Sequence, residues 1–284
     1  MNQKRSRFIA ISRWAEYTSA LWRYKIAATL FAVALSLFVG AASEAQKKTP
    51  PPPPADLPGH VNYLAQQLPG VMLEDATPII GEIQKLVLAD LQQWMADRTP
   101  SDVEVRRELE MAFSELHYPL FGQAAAFAQS WKGQLVIGAG YTLGWTDYDR
   151  TNVVAIFSNQ LGHSHLGAVT TFVPHTDLHY AFPQEPEADT FRFFIYGSRL
   201  GKSQPRLTAI LYSFDGQNLK NLWEIDDVYD GKIDFEKARV VIRYLKEDEY
   251  VREQAERRKP PRHETIYTIT PTGLEVQSEQ EIPF

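Results

Sequence analysis

Four of the seven histidines in the chain lie within one short stretch of sequence. His163 and His165 flank a serine, so in an extended strand both imidazoles project from one face. His175 and His179 are four residues apart, with Asp177 between them. Three or four neutral imidazoles suit Zn²⁺ with one position open for water, as in catalytic zinc sites. The stretch therefore predicts a metal site formed by His163, His165, His175 and His179.

A plainer interpretation of these histidines competes with the metal site. The chain lacks the H-E-x-x-H spacing of metallohydrolases. His163 and His165 also follow a glycine in what reads as a turn, where polar side chains are common. The main expectation is therefore a protein without a cofactor, and zinc is the alternative.

Two aromatic residues are candidates for contact with a ligand or partner. Trp145 and Tyr148 belong to a polar loop between two predicted strands. Exposed aromatic rings in such a loop can pack against a sugar ring or a partner peptide. Phe191, Phe193 and Ile195 share one face of a predicted strand instead, and we expect them to fill the core.

Several other chemistries are excluded by the residues that they require. The chain has no cysteine, which rules out disulfides, thiolate metal sites, thiol nucleophiles and cysteine-borne lipid anchors. The acidic segment that begins at Asp226 fails as a calcium loop, because its third position is Val228 and its twelfth is Lys237. Neither a G-x-S-x-G nucleophile motif nor a phosphate-binding glycine loop occurs.

The negative net charge of the chain makes some classes of binding partner unfavourable. The formal net charge of the whole chain is -6. The first 45 residues hold six basic and two acidic side chains, which leaves 23 basic and 33 acidic groups, a balance of -10, in the rest. Such a domain repels phosphate backbones and anionic lipid headgroups, so we expect no nucleic-acid partner.

Residues 1–45 read as a secretory signal peptide or an N-terminal membrane anchor. The 17 residues from 26 to 42 carry no charge, follow a basic segment and precede small residues. Ser43 and Ala45 form an A-x-A-like cleavage site before Gln46, which predicts removal on export. The uncharged stretch also approaches the length that spans a bilayer, so an uncleaved anchor is the alternative. A buried helix of a cytosolic protein fits the basic flank and the following prolines least well.

The next part of the chain predicts a linker and then helices. Residues 46–59 are rich in proline and predict a stiff linker. Over 60–130 the pattern is helical, and apolar residues at three- and four-residue spacing in 79–94 mark one buried helix face. Ser101 opens a capping box that predicts the start of the following helix. The segment 121–131 predicts a short third helix.

The region 131–284 predicts an antiparallel sheet. Short runs rich in Val, Ile, Phe, Tyr and Thr alternate there with turn residues. The predicted strands are 134–139, 152–158, 167–173, 190–197, 206–214, 219–225, 238–245 and 264–270. The charged segment 246–263 predicts a solvated helical or flexible excursion between two of these strands.

A possible internal repeat bears on the fold class. The pattern G-x-x-L-G begins at Gly140 and again at Gly197, and each copy precedes a strand that contains Ala-Ile. The offset is 57 residues at the glycines and 54 at the Ala-Ile pairs, so chance is the competing explanation. We predict an α+β fold with N-terminal helices and a predominantly antiparallel β region, forming one globular unit. A true duplication predicts two repeated meanders in a sandwich, a barrel or a propeller-like sheet.

These features predict an exported protein of the cell envelope, periplasmic or extracellular, or else anchored through a single N-terminal span. The expected function is a non-enzymatic binding or scaffold domain whose β-sheet loops contact an envelope protein or a small ligand. The alternative is a metal-dependent hydrolase built on the four histidines. Contact with the membrane is expected only through the N-terminal segment, if it is not cleaved.

The N-terminus of the protein purified from its own cells tests the export prediction. Cleavage predicts a chain that starts at Gln46, or at Ser43 if the cut falls after Ala42 instead, as measured by intact mass and N-terminal sequencing. A retained Met1 in the membrane fraction after washing with high salt would show an anchor instead. Recovery of the intact chain in the cytosol would contradict export.

Overall fold

The structure is a computed structural model that describes residues 52–117, 120–144, 150–160, 163–172, 177–183, 189–199 and 203–282. Pro53–Phe284 form one compact unit, to which all the described helices and strands belong. The predicted signal or anchor, 1–45, lies outside the described residues. No helix within the described ranges is long and apolar enough to cross a membrane.

Three helices come first along the described chain. They are α1 (Leu57–Ala65), α2 (Leu73–Trp94) and α3 (Asp102–Ala112). The capping box predicted at the start of α3 is confirmed: the Ser101 backbone N–H donates to the Glu104 carboxylate at 2.8 Å, and the Glu104 backbone N–H donates to the Ser101 hydroxyl at 3.4 Å. This reciprocal pair satisfies donors that the first helical turn leaves free.

Helix α2 contains an internal proline, although proline favours the first turn of a helix. The helix starts at Leu73, so Pro78 lies beyond its first turn. Glu74 and Asp75 place negative charge in the first turn, where the helix dipole favours it. Ala76 is fully buried there, so packing helps to offset the backbone hydrogen bond that the proline removes.

Twelve strands follow within the described ranges, in three antiparallel meanders. Sheet 1 contains β1 (Phe121–Trp131), β2 (Gln134–Gly144), β3 (Arg150–Gln160) and β4 (His163–Phe172). Sheet 2 contains β5 (His179–Ala181), β6 (Phe191–Arg199), β7 (Arg206–Phe214) and β8 (Leu219–Tyr229). Sheet 3 contains β9 (Lys232–Phe235), β10 (Arg239–Tyr244), β11 (Arg262–Thr270) and β12 (Gly273–Ile282). Within each sheet the strands pair in chain order.

The prediction of a third helix at 121–131 is wrong, because this segment is strand β1. Its register with β2 runs from Ala124, opposite Tyr141, to Trp131, opposite Gln134. Lys132 and Gly133 close the hairpin with φ values of 47° and 77°, as in a two-residue type I′ turn. Alanine favours helices in isolation, but pairing with β2 and burial on both faces override that preference here.

The structure confirms a mostly antiparallel β fold with few helices, and it corrects the number and form of the sheets. Three meanders are present in the described part of the chain, not two. Each sheet is open, since its first and last strands do not pair with each other, so a barrel is wrong. The charged segment predicted as an excursion contains helix α4 (Glu247–Ala255), between β10 and β11.

Three apolar clusters hold the N-terminal helices and the three sheets together as successive layers. The first joins the three N-terminal helices to one face of sheet 1, with Phe113, Tyr141 and Phe157 buried in it. The second joins the other face of sheet 1 to sheet 2, and it contains Phe127 together with the predicted core residues Phe191, Phe193 and Ile195. The third joins sheet 2 to sheet 3. Sheet 1 is therefore covered on both faces, and sheet 2 is as well.

Two glycines of β2 allow sheets 1 and 2 to approach closely. A Cβ at Gly138 would lie 2.0 Å from the Phe127 ring. One at Gly140 would lie 2.5 Å from the Leu178 side chain and also overlap the Tyr180 hydroxyl. Phe127 is the β1 partner of Gly138 within sheet 1, whereas Leu178 and Tyr180 come from β5 and its flank. All three side chains lie in the interface between the two sheets.

A pair of glycine substitutions tests this packing. We expect Gly138→Ala to lower the free energy of unfolding by about 1–3 kcal/mol, because the added methyl overfills the interface. Gly81→Ala is the matched control: nothing lies within 4 Å of its Cβ position in α2, so the substitution should stabilise the protein by about 0.5–1 kcal/mol through helix propensity. Urea unfolding measures both values. A Gly138→Ala protein as stable as the parent would contradict the close packing.

Candidate binding groove

A groove of about 430 Å³ lies between helix α3, strand β1 and strand β5. Strand β1 forms its floor, α3 forms one wall, and β5 with its flanking residues forms the other. The lining side chains come from Asp102, Val103, Arg106, Gln123, Ala124, Ala125, Ala126, Phe127, Gln129, Leu178, His179, Tyr180 and Phe182. The groove thus combines residues that are up to 80 positions apart in sequence.

The floor is an edge of sheet 1. No described strand pairs with the outer side of β1. A two-residue type I′ turn hydrogen-bonds its flanking residues to each other, here Trp131 and Gln134. Because backbone direction alternates along a strand, Ala124, Ala126 and Ala128 direct their N–H and C=O groups away from β2. The floor therefore presents main-chain donors and acceptors at every second residue.

The α3 wall is positioned by the capping box. Asp102 and Val103 form the first turn of α3, directly after the capping residue. Val103 is 60% exposed although it is apolar. Arg106 lies one turn further along, 3.6 Å from the Glu110 carboxylate on the same helix. This wall offers one apolar side chain and one charge of each sign.

The β5 wall is aromatic and is joined to the floor. Phe127 makes edge contacts with Tyr180 and Phe182, at centroid distances of 4.8 and 5.2 Å. The Gln123 amide donates to the Leu178 carbonyl at 2.9 Å, and the Tyr180 hydroxyl lies 3.5 Å from the Ala125 carbonyl. Burial raises the pKa of Tyr180 far above its usual range, so the phenol stays protonated and acts as a donor.

His179 lies on this wall, and Asp177 fixes its position. The two side chains are 3.3 Å apart, and the imidazole packs against Tyr196 at a centroid distance of 5.3 Å. The Asp177 carboxylate also accepts a hydrogen bond from the Ser198 backbone N–H. A Cβ at Gly197 would lie 2.1 Å from the Asp177 carbonyl oxygen, so only glycine allows this approach. Asp177 therefore ties the start of β5 to β6.

The predicted histidines occupy two different sheets. His163 and His165 lie in β4, both exposed and on one side of the strand as expected. Strand β4 is three strand spacings from β1, about 14 Å at ~4.8 Å each, so these two histidines do not line the groove. His179 lines the groove from sheet 2, and His175 lies outside the described residues.

No group of three or more histidine, aspartate or glutamate side chains within the described ranges is close enough to hold a metal ion. Because His175 is not among the described residues, the four-histidine zinc site stays a prediction. Trp145 and Tyr148 also lie outside the described residues, so their role as contact residues stays a prediction as well.

Sequence reasoning missed most of the groove. Gln123 and Phe127 were expected on a helix, and Tyr180 and Phe182 follow the histidines without belonging to a motif. The one signal in the sequence was the long run without charge in 121–131, which marks a protected or functional strand edge once it is recognised as a strand.

Comparison of the chain with protein-family models, with curated proteins and with solved structures finds no match. The groove and the histidines are therefore the basis for a functional proposal.

The zinc site has a direct test. A zinc site predicts stoichiometric metal by elemental analysis of the purified full chain, and a lower melting temperature after treatment with a chelator. Metal should be lost in His163→Ala and His165→Ala and kept in His60→Ala, a histidine of α1 that serves as the control. A metal-free preparation whose melting ignores the chelator would rule out the hydrolase.

Proposed function

We propose that Pro53–Phe284 form a non-enzymatic binding domain whose ligand lies in the groove between α3, β1 and β5. The groove is the observation that carries this proposal: its volume of about 430 Å³ falls in the range of ~300–1,000 Å³ typical of ligand sites. Its lining is that of a ligand site as well, since alanines and aromatic rings supply apolar surface and a few polar groups converge on it.

The composition of the lining favours binding over catalysis. Its ionisable groups are Asp102, Arg106, His179 and the phenol of Tyr180. The described lining includes no serine, threonine, cysteine, lysine or glutamate. Apart from the phenol of Tyr180, which burial keeps protonated, the described lining therefore has no hydroxyl or thiol nucleophile, and it has no pair of carboxylates for acid–base chemistry.

Location and architecture complete the proposal. The N-terminal segment supports export to the cell envelope, with the domain released by cleavage or held by an anchor. The two copies of the G-x-x-L-G pattern begin in β2 and β6, the second strand of sheet 1 and of sheet 2. This equivalence supports a genuine duplication and a sandwich-like stack of meanders.

Site-specific photo-cross-linking tests the groove as the binding surface. We expect p-benzoylphenylalanine at position 103, expressed in the protein's own cells, to form a defined adduct on irradiation. The same residue at position 276 is the matched control, because Val103 is 60% exposed in the groove and Val276 is 61% exposed on β12. Mass spectrometry of the purified adduct identifies the bound molecule.

A variant that partly fills the groove shows whether the adduct at position 103 depends on the groove. Gln129 is an exposed lining residue, and Gln129→Trp fills part of the groove without changing the core. The adduct at position 103 should then be lost while the melting temperature is unchanged. Equal labelling from positions 103 and 276, or no adduct from either, would contradict the proposed function.

A further inference from the structure

We propose that the ligand is an extended peptide segment of a partner protein, which adds to β1 as a fifth strand of sheet 1. This inference rests on the proposed function and names its ligand class. It follows from the hydrogen-bonding groups of the floor, from the composition of β1 and from the shape of the groove.

The floor presents a row of main-chain groups that a peptide backbone matches. Ala124, Ala126 and Ala128 direct N–H and C=O groups outward, and no described strand pairs with them. The Gln123 amide and the Tyr180 hydroxyl reach Leu178 and Ala125 instead. A second extended backbone repeats donors and acceptors with the same two-residue period, whereas a sugar or a small metabolite does not.

The composition of β1 is unusual for an exposed strand edge. Most edge strands are protected from pairing by shortness, charge or proline. Strands β5 and β9 follow this rule by being three and four residues long, and β8 and β12 follow it by carrying several charged residues. Strand β1 has 11 residues and neither a charge nor a proline. The remaining edge, β4, is uncharged too, but no β4 residue lines the groove.

The walls select a single strand over a second folded sheet. Residues 123–127 and 129 of β1 line the groove between α3 and β5, a run of about 20 Å at ~3.4 Å per residue. A strand residue fills roughly 160 Å³, from a rise of ~3.4 Å, a strand spacing of ~4.8 Å and a sheet spacing of ~10 Å. The enclosed volume therefore holds about three residues of an added strand. Pairing of two copies through β1 is disfavoured, because the β1 of a second copy lies between its own α3 and β5 walls.

The two walls also predict the side chains of the peptide. Alternate residues of an added strand face opposite walls. One set faces Leu178, Tyr180 and Phe182, so we expect apolar side chains at every second position. The other set faces Val103 and Arg106, where small or polar side chains fit. The balance of -10 outside the first 45 residues favours a neutral or basic segment over an acidic one.

Selection from a random heptapeptide library against the full chain tests this inference. We expect the selected peptides to be neutral or basic and apolar at alternate positions. On irradiation, these peptides should cross-link to the protein that carries p-benzoylphenylalanine at position 103 and not to the protein that carries it at position 276. N-methylation at every second residue should weaken binding by about tenfold or more, because each methyl removes a donor to the β1 edge. N-methylation at the intervening residues should have little effect.

Two proline substitutions in the protein make the reciprocal test. The Ala126 N–H points into the groove, so Ala126→Pro should keep the β1–β2 ladder and weaken peptide binding by about tenfold. The Ala125 N–H points toward β2, so Ala125→Pro should destabilise the fold instead. If Ala126→Pro does not fold, the N-methylated peptides decide the matter alone. Binding that does not depend on which backbone position is methylated would overturn strand addition.

The two proposals fail in different ways. A small-molecule adduct at position 103, with no selected peptide that labels it, would overturn the peptide and leave the groove as the binding surface. The absence of any adduct specific to position 103, together with no selected peptide that labels it, would overturn both.

Discussion

The glycine face of β2, which makes room for large side chains between sheets 1 and 2, is the constraint on which the groove depends. Gly138 makes room for Phe127, and Gly140 makes room for Leu178 and Tyr180. With these side chains seated, β5 stands beside β1 and its aromatic wall contacts the floor. A side chain at Gly140 would displace Leu178 and Tyr180 from the wall, and one at Gly138 would displace the Phe127 ring that this wall contacts. The proposed binding surface is thus a consequence of core packing, not of a separate loop.

The layered architecture follows from the same need to cover sheet faces. An isolated four-stranded meander has two faces, and apolar side chains on both faces require cover on both. Sheet 1 carries apolar residues on each face, and the N-terminal helices and sheet 2 cover them. Sheet 3 ends the stack with a polar outer face on which Arg243 pairs with Asp234 and Glu264. The three N-terminal helices therefore cover one end of the stack, and charged side chains lie on the other.

The features predicted correctly from the sequence are those that local patterns determine. The capping box of α3 and the alternation of Phe191, Phe193 and Ile195 need only neighbouring residues, and both were predicted. Strand β1 was not, because an alanine-rich segment favours a helix until its partner is known, and Lys-Gly is not among the strongest type I′ turn signals. The third meander was missed because the repeat pattern does not extend into it. The groove joins β1 to β5 through contacts such as that of Gln123 with Leu178, 55 residues apart, and no local pattern reports such contacts.

In the proposed function, the uncharged edge of β1 links the stability of the domain to its binding of a ligand. An open edge of this length invites aggregation, and a single lysine directed into the groove would protect it. The edge lies instead between a helix and an aromatic wall. In the proposed complex these two walls obstruct another folded sheet and leave room for one extended peptide. The strong negative balance of the region after residue 45 adds repulsion between copies. Access to β1 is thus controlled by shape at short range and by charge at long range, while its backbone groups stay available for pairing.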